Sequence, residues 1–342
     1  MEILISFVIP FIILLTIVVF IHEYGHYYFA KKYGVGVTDF SIGFGKELFG
    51  FNDKSGTRWK FCAIPLGGYV KFFGDRNVFS QAEQEELLKE YNEEDRKKLF
   101  VVKPLYQRSL IVAAGPFANF LLAIVIFAFI YMFAGKDFTP AQIQEVQSES
   151  PAYVAGIKSG DVIKSINQRE VKSIMEVSTF INASSSETID IQVLRKGNEI
   201  TLKVKPKFIE GKDSLGNQIN KKIIGIKVAP LNEEINRQRL GPTTALYYAV
   251  KETWFVIEAS WEFIISMFKG TGDTSQLGGP IKIAKITGQV AKFGIVAFLS
   301  IMAYISISLG FINLFPIPML DGGHLMFYAF EKILGRPLTQ RT

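Results

Sequence analysis

Cysteine and histidine are scarce in this 342-residue chain: there is one cysteine, Cys62, and there are three histidines, His22, His26 and His324. A single cysteine excludes an internal disulfide and reads as a small apolar filler. Charge is missing altogether from three runs, residues 3–21, 109–135 and 293–320. About 20 apolar residues cross a hydrocarbon core, so each run is long enough to span a bilayer. No Lys or Arg precedes Lys31, and the sequence that follows the first run, "IHEYGH", has no small-residue cleavage pattern. The first run therefore reads as a retained span and not as a signal peptide. The chain also lacks a basic stripe with interleaved aromatics, so no nucleic-acid partner is expected. Its net charge of +6 reflects loop asymmetry.

What is present is strongly segregated. The expected fold is a polytopic α-helical membrane protein with a membrane-associated β-hairpin region and an inserted α+β domain. Residues 1–30 hold the first span. Residues 31–108 form a loop rich in Lys and Arg, which the positive-inside rule places in the cytoplasm. Within that loop, "SIGFGKELFG" and "WKFCAIPLGGYVKFFG" combine glycine with aromatics and predict short strands with tight turns. They are too apolar for a freely solvated loop, and a hairpin at membrane depth is allowed where its backbone groups find partners. "QAEQEELLKEYNEEDRKKLF" predicts a polar helical excursion. Residues 109–135 return the chain to the outside. Residues 141–230 alternate strand-like segments with Gly turns and one helical patch, which predicts a small α+β domain. Residues 243–268 carry aromatics but also Lys251, Glu252, Glu258 and Glu262. Each such charge costs about 2.5–3.5 kcal/mol near a bilayer centre, so an interfacial amphipathic helix is expected there. Residues 293–334 hold the third span.

The polar residues at the end of the first span carry the chemistry. His22 and His26 are four apart and share one helical face. This is the ligand pair of H-E-x-x-H, with Glu23 as the candidate general base. Two imidazoles need a third protein ligand to make a catalytic zinc site with an open position. Asp321 and His324 both lie in "NLFPIPMLDGGH", and both residue types ligate zinc. With three spans, the first and third run in the same direction and bring the two motifs to one depth. Lys or Arg would cap a helix leaving the membrane more cheaply by snorkelling. A transporter would spread facing polar residues along several spans, whereas these cluster.

Five motifs together resemble the site-2 protease family of intramembrane zinc metalloproteases, in its bacterial RseP-like branch. They are "HEYGH" at 22–26, "GFG" at 43–45, "PLGGYVKFFG" at 65–74, "AAGPFANFLLA" at 113–123 and "NLFPIPMLDGGH" at 313–324. "SPAYVAGIKSGDVIKSIN" adds a PDZ-like segment. The resemblance implies one Zn2+ held by His22, His26 and Asp321, with His324 a neighbour and Glu23 the base. It implies that Asn313, Pro316 and Pro318 help hold an extended substrate, and that Gly43, Phe44, Gly45 and the following hairpin pair with that substrate edge-on. It further implies a bacterial inner-membrane location, a periplasmic PDZ-like domain at 141–230 and a zinc site towards the cytoplasm; such proteases usually carry a fourth span after the "LDG" helix, so the expectation here is either a truncated sequence or a short variant. The expected partners are the lipid bilayer and single-span membrane proteins such as anti-sigma factors or signal-peptide remnants. The PDZ-like domain would bind peptide or filter substrates by size. The rival expectation is a catalytically inert PDZ membrane scaffold.

Overall fold

A computed structural model describes residues 4–74, 88–184, 186–212, 218–231, 234–268 and 279–335. The chain divides into two units, residues 1–126 with 287–342, and residues 127–286. Among the described residues, three helices are long and apolar enough to cross a membrane: Ser6–Lys32, Leu105–Phe133 and Ile295–Asn313.

In the first unit, helix α1 (Ile9–Lys32) starts with Pro10 in its first turn and ends with Lys31 and Lys32 in its last. Proline is tolerated at the start because its missing N–H has no helical partner there, and the two lysines complement the C-terminal dipole. The helix outruns the charge-free stretch by eleven residues, because His22, Glu23 and His26 are compatible with helical backbone and nothing breaks it before Gly34 (φ +67°). His22 and His26 therefore sit inside the helix, both buried.

The GFG region is more than a short hairpin. β1 (Val37–Asn52) and β2 (Arg58–Phe72) are long strands whose register shifts repeatedly. Its first part, Val37 to Ile42, pairs with Phe72 to Gly68, and Asp39 to Ile42 also face Arg58 to Phe61. Glu47 to Asn52 pair with Cys62 to Arg58. The ribbon thus folds over itself, with residues 39–42 paired on both sides. Gly43 (φ +85°) and Gly45 (φ +86°) supply the left-handed conformations this fold-over requires. Asp53 holds the far turn: it accepts from the Ser55 and Thr57 backbone, from Trp59 and from Tyr27 Oη on α1 at 2.7 Å. Burial would raise its pKa, but these donors hold it below the usual carboxylate range.

Helix α2 (Leu105–Phe133) contains Pro116, which removes the N–H that would bond the Val112 carbonyl. Of the polar helical excursion expected after β2, residues 88–90 are helical. Residues 75–87 lie outside the described residues, and Glu93–Arg96 is a single turn capped by Asn92.

The second unit is built on strand alternation. β3 (Ala141–Val146), β4 (Val162–Ile166), β5 (Ile189–Arg195), β6 (Asn198–Val204) and β7 (Ile226–Pro230) form an antiparallel path in the order β7-β3-β4-β5-β6. Ile189, Ile191 and Val193 are buried at every second position, as one face of a strand requires. They form one core with Ile143, Ile163, Ile166 and Phe180 of helix α3 (Ile174–Ala183). Helix α4 (Pro242–Phe268) buries the small residues Ala245, Ala249 and Thr253, four apart, and leaves Trp254 and Trp261 exposed. Its acidic residues are paired within this unit: Glu252 with Lys136 at 3.4 Å, and Glu258 and Glu262 with Arg169 at 3.2 and 2.8 Å. The three glutamates of α4 are therefore ion-paired, two of them sharing Arg169, and do not depend on water alone.

The remaining helices are α5 (Pro280–Ala291), α6 (Ile295–Asn313) and α7 (Asp321–Leu334). The stretch read from sequence as one span, 293–334, is thus two helices. Pro316 and Pro318 cannot continue the helical hydrogen bonds, so α6 stops at Asn313 and α7 begins afresh at Asp321.

Candidate metal centre

Three elements of the first unit converge on one group of ligands. His22 Nε2 lies 3.2 Å from His26 Nε2 and 3.2 Å from Asp321 Oδ2, and His26 Nε2 lies 3.5 Å from Asp321 Oδ1. Two tetrahedral zinc bonds of about 2.0–2.1 Å place their donor atoms about 3.3 Å apart. The observed spacings match that edge length, and the donor set of two imidazoles and one carboxylate suits zinc. Among the described residues this is the one group of His, Cys, Asp or Glu side chains placed to hold a metal ion, and His324 is not part of it.

Local structure explains the convergence. The spacing of four puts both histidines on one face of α1. Gly25 lets α1 approach α2: a Cβ there would lie 2.4 Å from the Ala114 carbonyl oxygen. Gly115 leaves the space that the His26 ring occupies, since a Cβ would lie 2.3 Å from Nε2. His26 Nδ1 donates to the Ile111 carbonyl at 2.9 Å. A carbonyl only accepts, so the His26 proton sits on Nδ1 and Nε2 is free to ligate. His22 Nδ1 faces the carboxamide of Asn119, buried on α2, at 3.3 Å. Asn119 is held in turn by α6: Ser306 donates to its carbonyl at 2.9 Å, and a Cβ on Gly310 would lie 3.2 Å from the Asn119 Cβ.

Asp321 is the first residue of α7 and is aimed by its own glycines. A Cβ on Gly322 would lie 2.2 Å from the Phe315 carbonyl oxygen, and one on Gly323 2.4 Å from that of Ile317. Residues 314–320 can fold back over the first turn of α7 only because neither position carries a side chain. Arg108 on α2 holds the other end of this helix through a two-pronged pair with Glu331, while its guanidinium lies over the Tyr328 ring.

Glu23 projects from the same turn of α1 as the histidines. Its Cγ would lie 3.2 Å from a Cβ on Gly68. Asn313, at the end of α6, brings Nδ2 within 3.5 Å of His22 Nε2 and so faces the same centre. Pro316 and Pro318 are exposed in the 314–320 turn. In GFG, Phe44 pairs with Ile64 and its ring is partly exposed. The β2 residue that packs on Glu23 is Gly68, outside GFG itself. Gly68, Gly115 and Asn119 lie within the motifs at 65–74 and 113–123, but sequence reasoning gave them no individual role. Their signal is a glycine or an amide inside an otherwise aliphatic or aromatic run.

Two buried imidazoles and a carboxylate on zinc spacing, with a second carboxylate beside them, define a metallohydrolase-type centre. Comparison with known proteins agrees. Peptidase family M50 matches residues 10–342, and the chain belongs to this family, the site-2 proteases. It is 42% identical over 336 residues to "Putative zinc metalloprotease mll0638" of Mesorhizobium japonicum, covering 97% of this chain and 91% of that one. It is 35% identical over 345 residues to "Metalloprotease MmpA" of Caulobacter vibrioides, covering 95% and 86%. A solved PDZ domain of an SdrC-like protein from Listeria monocytogenes is similar over 27% of this chain and 88% of that one, at 21% identity and a TM-score of 0.22. The protein is a zinc metalloprotease with three apolar helices suited to a membrane.

Proposed function

We propose that this protease cleaves peptide bonds within the transmembrane segments of single-span membrane proteins. The observation that carries the reading is the position of Glu23, beside both histidines on a helix otherwise apolar enough to span a bilayer. His22, His26 and Asp321 would hold one zinc, which when bound supplies a Lewis acid for the scissile carbonyl and acidifies water to a pKa of about 7. Glu23 takes the proton from the attacking water and passes it to the leaving amide nitrogen. A helical substrate hides its amides in its own hydrogen bonds and must become extended first. Three features support binding of an extended chain: the strand edges of the β1–β2 sheet around Gly43, Phe44, Gly45 and Gly68, the Asn313 amide as donor and acceptor, and the turn containing Pro316 and Pro318. On this reading the enzyme lies in the bacterial inner membrane with its zinc towards the cytoplasm. The sheet domain at 141–230 is then a periplasmic PDZ-like module that binds peptide or filters by size. The α4 helix follows it along the outer interface. Anti-sigma factors and signal-peptide remnants are substrates of the expected kind.

The test uses Glu23→Gln, which keeps shape and loses the basic carboxylate. General acid–base groups contribute about 10²–10⁴-fold. The variant should retain stoichiometric zinc and cleave a single-span substrate at least about a hundredfold more slowly than wild type. Cleavage at the wild-type rate removes Glu23 as the base. Absence of cleavage by the wild type with every single-span substrate tried favours the inert scaffold.

A further inference from the structure

Two histidines ligate through Nε2 only if both carry their proton on Nδ1, and the structure treats the two rings differently. For His26 the Ile111 carbonyl settles the matter. For His22 the neighbour is a carboxamide, which offers a donor on one side and an acceptor on the other. Asn119 turns Nδ2 towards His22 Nδ1, an arrangement that suits a bare Nδ1 and a protonated Nε2. Yet His22 Nε2 is the atom that points at His26 and Asp321. A protonated Nε2 cannot bind a metal. Meanwhile Asn119 Oδ1 is buried with no hydrogen-bond partner, an uncommon and costly condition.

Turning the carboxamide over resolves the tautomer mismatch without moving the backbone: Oδ1 gains the Nδ1–H as its donor, and Nδ2 takes the place that Oδ1 held. The two orientations have nearly the same shape, and exchanging them changes only which atom faces Nδ1. With Oδ1 there, Asn119 accepts from Nδ1–H, and Nε2 is left bare and directed at the ligand group. We propose that Asn119 is the positioning residue that fixes the ligating tautomer of His22, by accepting a hydrogen bond from its Nδ1–H through Oδ1. This inference rests on His22 being a zinc ligand and extends that reading to an amide on another helix. The amide is placed for the task from two sides. Ser306 holds its backbone carbonyl, and Gly310 lets α6 close on its Cβ. An asparagine at this place also serves either tautomer of His22, which a carboxylate could not.

The test compares Asn119→Asp with Asn119→Leu. Aspartate keeps an acceptor oxygen opposite Nδ1 and cannot donate. Leucine keeps the branched outline, with somewhat greater bulk, and has no polar atom. Loss of an outer hydrogen-bond partner typically weakens metal binding by about 10–100-fold. In the full-length protein in detergent, we expect Asn119→Leu to weaken zinc affinity by about that factor and Asn119→Asp to hold it within about threefold of wild type. A purely packing role would predict the reverse order, since leucine fits an apolar interior better than a carboxylate. A second readout is independent of affinity. The chain has three histidines, so 15N-histidine spectra are simple, and two-bond 1H–15N correlations report which ring nitrogen carries the proton. In zinc-loaded wild type both His22 and His26 should show protonated Nδ1, and in Asn119→Leu the signal of His22 alone should change. A His22 Nδ1 that carries no proton in the loaded wild type overturns the proposal, even if the leucine variant fails to fold. So does wild-type zinc affinity in Asn119→Leu. If instead His22→Ala retained stoichiometric zinc, the ligand assignment beneath the proposal would fail, which is a distinguishable result.

Discussion

The two units of this chain solve the problem of buried polarity in opposite ways. In the first unit, the buried polar side chains His22, His26, Asn119 and Ser306 lie in apolar helices, and each is tied to another element. There an unpaired polar group has no water to turn to. In the second unit, the interior is an ordinary Ile and Val core from alternating strands, and Asp161, the one buried carboxylate among its described residues, is fully paired. Arg195 reaches Asp161 with two bonds of 2.7 Å, and the Lys158 backbone adds a third donor at 2.9 Å. Polarity serves chemistry in the first unit and fold stability in the second. Substitutions should therefore separate zinc binding from stability according to the unit they strike.

The largest effect is expected from Gly115→Ala. Its Cβ would overlap the His26 ring at a distance no real side chain shows, and the ring has nowhere to yield between α1 and α2. Zinc affinity should fall by about 100-fold or more, read by titration against a chelator. Thermal unfolding of the 127–286 unit should be unchanged. Stoichiometric, tight zinc in this variant would show that the packing of α1 on α2 does not hold the ligand.

Arg195→Leu should do the converse. It strands the Asp161 carboxylate and should destabilise the second unit by about 3 kcal/mol, with zinc content intact. Its pH dependence sharpens the point. Burial alone would raise the Asp161 pKa, but Arg195 and the Lys158 N–H hold it below the usual range. A depressed carboxylate stabilises at neutral pH and loses that contribution as pH falls below about 4. Without Arg195 the burial effect remains, so the variant should gain stability relative to wild type on acidification. A stability gap between the two that does not narrow at acid pH would contradict this. The smallest effect is expected at Lys205→Ala. Its pair with Glu187 is 3.5 Å long and mostly exposed on both sides, so the change should stay below about 0.5 kcal/mol and should not touch zinc.

The legible part of the molecule is the part set by local spacing. Charge-free runs of bilayer length announce the apolar helices, because hydropathy depends on composition and not on partners. A spacing of four from His22 to His26 suffices to place both on one face of any helix. Period-two alternation at Ile189, Ile191 and Val193 marks a half-buried strand wherever the sheet lies. Boundaries were less legible. The first helix continues past the charge-free run because buried partners make His22 and Glu23 tolerable inside it.

Only the tertiary structure decided the rest. Asp321 and His324 are three residues apart and chemically equal candidates in the sequence. The fold-back of residues 314–320 onto Gly322 and Gly323 starts a new helix at Asp321, and that start aims the carboxylate, not the imidazole, at the histidines. The roles of Gly115 and Asn119 depend on α2 lying against α1, a contact between residues about 90 positions apart. The folded-over ribbon depends on strand segments that choose partners by register. Spacing along the chain fixes faces, but which faces meet is set by close packing between distant segments, where the absence of one methyl group or the orientation of one amide determines whether a ligand can point inward.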